Sequence, residues 1–149
     1  KKTSANRLLV CAPSNAAVDE VLLRLMTDGV VDRDGKIKKP LLVRLGKPTD
    51  GSPQAIIDMT LENQVEKYLE RDPVWKKLQK VLGSITEIKG QLAGISGSSE
   101  ASAERRRKLR SDLRLAQGSK ILAEQQVSLC QTALRKKLLE TCDVLAGVL

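Results

Sequence analysis

The sequence predicts an α/β fold, a parallel sheet interrupted by a long antiparallel helical hairpin. Three observations predict it. Apolar runs at 7–11, 41–45 and 142–149 read as strands, and a helix-forming stretch at 16–26 separates the first two. From 56 to 140 strand-like alternation almost vanishes, and apolar residues recur at spacings of three and four. A small-residue tract, GISGSS at 94–99, divides that helical stretch in two.

The first strand, 7–11, is nearly all apolar, as expected where both faces of a parallel sheet are covered. The stretch VCAPSNAAVDE at 10–20 organises the chain around it. Pro13 breaks the strand, Ser14 or Asn15 caps the helix by accepting from a first-turn N–H, and Asp19 and Glu20 suit the positive end of the helix dipole. Unsatisfied N–H groups make this end a natural phosphate site; the same residues also read as a cap serving only its own helix. Val18, Val21, Leu22, Leu25 and Met26 form one stripe to bury, and Asp28-Gly29 ends the helix.

Residues 30–40 carry Asp32, Asp34 and Gly35 with Lys36, Lys38 and Lys39, and read as a solvated turn. Asp32-x-Asp34-Gly35 lacks the remaining ligand positions and terminal Glu of a calcium loop. The second strand, 41–45, is closed by Gly46-Lys47-Pro48, and strand, helix and strand make a βαβ unit with parallel pairing expected. Arg44 reads two ways, as a phosphate contact at the sheet edge or as an internal salt-bridge partner.

Residues 49–53 read as a linker, and two long helices are expected after it. The first carries Leu61, Val65 and Tyr68, breaks or kinks at Asp72-Pro73, then continues through Trp75, Leu78, Leu82, Ile85 and Leu92. Ser98 or Ser99 is placed to cap the second, where Leu109, Leu113, Ala116, Ala123, Val127, Cys130 and Leu134 fall on one seam with Lys120 at the skipped position. Such a pair makes an antiparallel coiled-coil hairpin. Residues 142–149 are again β-prone and are expected to rejoin the sheet. The expected organisation is thus 1–48, an inserted hairpin at 49–140, and a return strand at 141–149.

Composition narrows the function. Trp75 and Tyr68 are the only aromatic residues among 149, so stacking platforms for bases are nearly missing. A net charge of +8 and a pI near 9.6 suit a polyanionic partner. Cys11, Cys130 and Cys142 are far apart with no CxxC and no histidine, which excludes mixed zinc sites and histidine triads. They read as reduced, buried small apolar residues of an intracellular protein. No apolar run approaches the roughly 18–20 residues of a membrane span, so a soluble protein with no membrane partner is expected. The densest charge is Arg105-Arg106-Arg107-Lys108-Leu109-Arg110. It reads as a solvated helix start or as a duplex contact near the hairpin tip, since basic residues at a helix N-terminus oppose the dipole; nuclear targeting is a further possibility. Lys76, Lys77 and Lys80 form a smaller basic face.

CAPSNAAVDE, followed by a helix and then Leu42-Val43-Arg44-Leu45-Gly46, resembles motif Ia and the next strand of superfamily 1 helicases of the senataxin branch, relatives of the nonsense-mediated decay helicase. The likeness is close over about the first third, is one of order and helicity through the middle, and resumes loosely at 142–149. Val148 stands where a hydroxyl residue before Leu is usual. The resemblance implies a partial, incomplete RecA-like sheet from the first RecA-like domain, with the hairpin as the projecting prong. It implies that Pro13, Ser14 and Asn15 hold the backbone of a single strand. Arg44, Arg105, Arg106, Arg107, Lys108 and Arg110 join them as nucleic-acid candidates on charge.

With no initiator Met and an apolar end, the chain is expected to be a piece of a longer protein. The resemblance places the P-loop upstream of Lys1 and the acidic magnesium motif downstream of Leu149; neither GxxxxGK[ST] nor an apolar strand closed by Asp-Glu occurs here. ATP and magnesium are therefore expected in the parent protein and no cofactor, catalytic residue or metal ligand in this piece. Expected partners are single-stranded RNA or DNA and RNA/DNA hybrid, and the expected location is nuclear, with the cytoplasm as alternative. The expected function is strand holding and hybrid unwinding within an ATP-dependent helicase. A non-enzymatic coiled-coil interaction module is the alternative.

Overall fold

Three parallel strands, in the spatial order Leu8–Ala12, Val144–Val148 and Leu42–Arg44, form the main sheet of a computed structural model that describes residues 7–97 and 99–148. The chain runs β1 (Leu8–Ala12), α1 (Asn15–Asp28), β2 (Val30–Val31), β3 (Ile37–Lys38), β4 (Leu42–Arg44), α2 (Gln54–Asp58), α3 (Leu61–Glu70), α4 (Pro73–Ala93), α5 (Glu100–Thr141) and β5 (Val144–Val148). It forms two compact units, one of residues up to Tyr68 together with those from Thr132 onward, the other Leu69–Gln131. These divisions fall inside the 49–140 range drawn from the sequence, because Ile56, Met59, Leu61 and Val65 pack into the sheet unit's cores.

Strand alternation sorts that unit into two cores. On one face Val10, Ala12, Leu42, Val144 and Ala146 meet Val18 and Leu22 of α1 and Ile56 of α2. On the other, Val43, Leu45 and Leu145 meet Leu61 and Val65 of α3 and Leu134, Leu138 and Cys142. The expected direct pairing of the first two strands is replaced by insertion of β5 between them, with Leu8 opposite Val144 on one side and Leu42 opposite Val144 on the other. A βαβ unit constrains direction and handedness, not adjacency. Small residues suit the central place: a Cβ on Gly147 would lie 3.4 Å from Leu45 Cβ. Asp143 secures the entry, accepting from the Leu8 N–H through its carbonyl (2.9 Å) and from the Leu41 N–H through its carboxylate (2.7 Å).

Among the described residues β1 lies at an edge of this sheet, and Leu8 and Leu9 are 53% and 63% exposed, where the sequence suggests a strand covered on both faces. Cys11 is likewise exposed and Cys130 half-buried; of the three thiols expected inside, Cys142 alone is buried. The solvated turn at 30–40 holds a small antiparallel hairpin, β2–β3. Asp32 Oδ1 accepts from the N–H groups of Asp34 (2.9 Å) and Lys36 (3.0 Å), and its carboxylate pairs with Lys38 at 2.6 Å. Lys38 first, then the Lys36 N–H, hold that carboxyl below the usual range, as donors to the charged form do.

In the second unit the chain stops and restarts at Asp72-Pro73. Asp72 caps α4 by accepting from the Val74 N–H (2.9 Å), and Pro73 takes the first helical position, where its missing N–H costs nothing. α5 extends over 42 residues, with Ser99 Oγ accepting from the Ser102 N–H at 3.3 Å. The helices run antiparallel. Arg106 donates to the carbonyls of Ile95 (3.1 Å) and Gly97 (2.8 Å), Lys77 Nζ to Gln126 Oε1 (3.3 Å), and Asp72 lies against Cys130. Burial first, then the Asp72 carboxylate, push the Cys130 thiol up. The seam buries Leu78, Ile85, Ala123 and Val127.

Candidate nucleic-acid interface

The loop between β1 and α1 is built as the sequence suggests. Ser14 sits extended (φ −143°, ψ 154°), its Oγ accepting from the Ala17 N–H at 3.3 Å, and Asn15 is the first helical residue. Pro13 and Ser14 are exposed and Asn15 half-buried. The helix thus presents its N-terminal N–H groups at the carboxyl end of a parallel strand, where open α/β sheets bind ligands.

Beneath the loop lies a polar network whose members are remote in sequence. Arg44 is 0% exposed. Its Nε donates to Asp19 Oδ1 (2.7 Å), Nη1 to the Gly46 carbonyl (2.9 Å) and Nη2 to Asn15 Oδ1 (2.8 Å). Ser52 Oγ donates to the other Asp19 oxygen at 3.1 Å. This corrects Arg44 as a phosphate contact: its guanidinium is enclosed and spent on protein acceptors, the internal-partner alternative. Asp19, expected to act on the helix dipole, is the buried counter-charge, while Glu20 pairs with Arg24 at the surface (2.7 Å).

The network also orients Asn15. Arginine only donates, so the amide must offer Arg44 its oxygen, which leaves both Nδ2 hydrogens for another acceptor. Alongside lies a cleft of about 380 Å³ lined by Asn15, Gly46, Lys47, Leu9, Leu45 and Val148, among others. Lys47 was not singled out from the sequence, where it reads only as part of a strand-closing turn; its exposure beside Asn15 adds a cation to the rim.

In the helical unit the basic run begins one turn inside α5. Arg105, Arg107, Lys108 and Arg110 are exposed. Arg106 is half-buried, and its Nη2 donates to the Ile95 and Gly97 carbonyls that follow α4. Arg105 also borders a cleft of about 480 Å³ with Gln91, Gly94 and Ser102.

The sequence holds no GxxxxGK[ST], and among the described residues no group of three His, Cys, Asp or Glu side chains converges. Among them, too, no helix is long and apolar enough to cross a membrane.

A family model described as AAA domain matches residues 1–147. Helicase SEN1 of Saccharomyces cerevisiae is 39% identical over 126 residues, covering 79% of this chain and 6% of the relative. Probable helicase MAGATAMA 3 of Arabidopsis thaliana is 50% identical over 40 residues, 27% of this chain and 5% of the relative. Probable helicase senataxin of Homo sapiens is 36% identical over 78 residues, 48% of this chain and 3% of the relative. The chain therefore spans a few per cent of these relatives' lengths. A matched family model over nearly the whole chain, a partial parallel sheet with a helical insertion, and these relatives together place the chain in the AAA domain family, similar within it to the senataxin-like helicases.

Proposed function

We propose that this chain is the strand-holding part of an ATP-dependent helicase. Pro13, Ser14 and Asn15 grip the phosphate backbone of one RNA or DNA strand, and Arg105, Arg107, Lys108 and Arg110 meet duplex, an RNA/DNA hybrid included. ATP and magnesium belong, on this reading, to other parts of the parent protein. A nuclear location goes with it. The supporting observation is the Asn15 amide, braced through its oxygen by buried Arg44 at the N-terminus of α1. Backbone N–H and side-chain amide donors bind phosphate without reading sequence, which suits a motor that moves along any strand.

Binding of a labelled single-stranded oligonucleotide tests the grip. Ser14→Ala with Asn15→Ala removes two polar contacts and a cap worth about 0.5–2 kcal/mol, so single-strand affinity falls. Charge reversal at Arg105, Arg107 and Lys108 leaves single-strand binding in place and flattens the salt dependence of duplex binding by about 0.9 in log–log slope for each phosphate no longer neutralised. Unchanged single-strand affinity in the first variant contradicts the reading, as does unchanged duplex salt dependence in the second.

A further inference from the structure

The hairpin seam leaves one aliphatic line of α5 uncovered. Leu115, Leu122 and Leu129 are 71%, 63% and 72% exposed, and Ile121 beside them is 57% exposed. Residues seven apart on an α-helix fall within about 20° of each other, so the three leucines form one stripe. It lies away from Ala123 and Val127, which face the seam. Gly118 sits on the same stripe between Leu115 and Leu122. Glycine is a poor helix former, and nothing lies within 4 Å of where its Cβ would stand, so no packing within the chain calls for it. The result is a notch between two leucines of the size a partner's side chain fills in knobs-into-holes packing.

The charges beside the stripe say what covers it. From 107 to 131 the sequence has five basic side chains, Arg107, Lys108, Arg110, Arg114 and Lys120, against Asp112 and Glu124, and Glu124 is already paired with Lys120 at 3.3 Å. Among the described residues Arg107, Lys108, Arg110 and Arg114 join no salt bridge. A second copy would bring together two chains of net charge +8. Nucleic acid would meet the arginines and leave the leucines in water, since aliphatic side chains offer phosphate no donor. We infer that the Leu115–Leu122–Leu129 stripe of α5 docks an acidic amphipathic helix of another protein, one that sets an apolar side chain into the Gly118 notch and a carboxylate against Arg114.

The probe is a fluorescent helical peptide of about four heptads, with leucines on one seam and glutamates on both flanks, titrated against the whole 149-residue chain. Saturable binding is expected, weakened roughly tenfold or more when lysines replace the glutamates. Leu115→Ser, Leu122→Ser and Leu129→Ser together should weaken it by a similar factor with helical circular dichroism unchanged, because those side chains are exposed. Gly118→Leu fills the notch and should also weaken it, although it raises helix propensity. Equal affinity for the glutamate and lysine peptides overturns the proposal, as does full-strength binding by Gly118→Leu. So does self-association of the wild-type chain that the serine variant abolishes, which would make the occupant a second copy. Loss of duplex oligonucleotide affinity in the serine variant, matching its loss of peptide, would assign the stripe to the nucleic-acid surface instead.

Discussion

Arg44→Met tests whether the network beneath the candidate loop holds the sheet unit together. Methionine keeps much of the arginine's volume but leaves the Asp19 carboxylate with Ser52 alone, frees Asn15 Oδ1 and removes the donor to the Gly46 carbonyl. Removing one partner of a buried ion pair costs about 3–5 kcal/mol, mostly as an uncompensated charge. At about 1.4 kcal/mol per tenfold, the unit should open roughly two to four orders of magnitude more often. Cys142 reports that opening: it is buried in the same unit's core, and burial pushes its thiol up, so it reacts slowly while the unit is closed. Thiol labelling resolved by peptide mass spectrometry should show Cys142 labelled faster by that factor. Trp75 fluorescence, reporting the helical unit, should not change. Adding Asp19→Leu removes the stranded charge and should bring Cys142 labelling back to within about tenfold of wild type, since an apolar pair often replaces a buried ion pair without loss. Single-strand affinity should stay low, because Asn15 remains unbraced. Cys142 protection unchanged within tenfold in Arg44→Met would refute the reasoning.

Gly29→Ala should destabilise by about 1–3 kcal/mol, because Gly29 lies at φ 74° and ψ −165° and an added Cβ would stand 2.7 Å from the Lys38 carbonyl oxygen; Gly35→Asn, at φ 76° with nothing within 4 Å, should cost far less in the same urea melt. The lowered Asp32 carboxyl stabilises the β2–β3 hairpin fully above the ordinary carboxylate pKa, and that contribution is lost as pH falls through the depressed value. Amide exchange at Asp32 N–H, bonded to the Lys36 carbonyl at 2.9 Å, should therefore accelerate below about pH 4 beyond its intrinsic rate, and Asp32→Asn should abolish that acid dependence.

Local signals were legible where one short stretch decides them. Ser14 caps α1, Asp72-Pro73 starts α4, and the seam through Ala123 and Val127 follows from spacing alone. The features that stayed hidden depend on residues far apart. Arg44 offered a salt-bridge reading, but its partner Asp19 stands 25 positions away and charged side chains are so seldom enclosed that Asp19 did not advertise the pair. The central place of β5 depends on a return from a helix of 42 residues, which no local pattern encodes. The hairpin at Val30–Val31 and Ile37–Lys38 has two-residue strands, too short for alternation to register. Cys11 misled because an apolar strand reads as covered, whereas among the described residues β1 lies at the sheet edge.

The central claim is that Pro13, Ser14 and Asn15 hold a strand by its phosphates. Amide and side-chain NMR shifts of the 149-residue chain, titrated with a short single-stranded oligonucleotide and with its uncharged methylphosphonate counterpart, test it most directly. The account predicts that the oligonucleotide shifts the backbone N–H groups of Asn15, Ala16 and Ala17, the Asn15 side-chain amide and Lys47, and that the methylphosphonate strand shifts none of them. Shifts confined to α5, or the same shifts at the loop with both backbones, would contradict it.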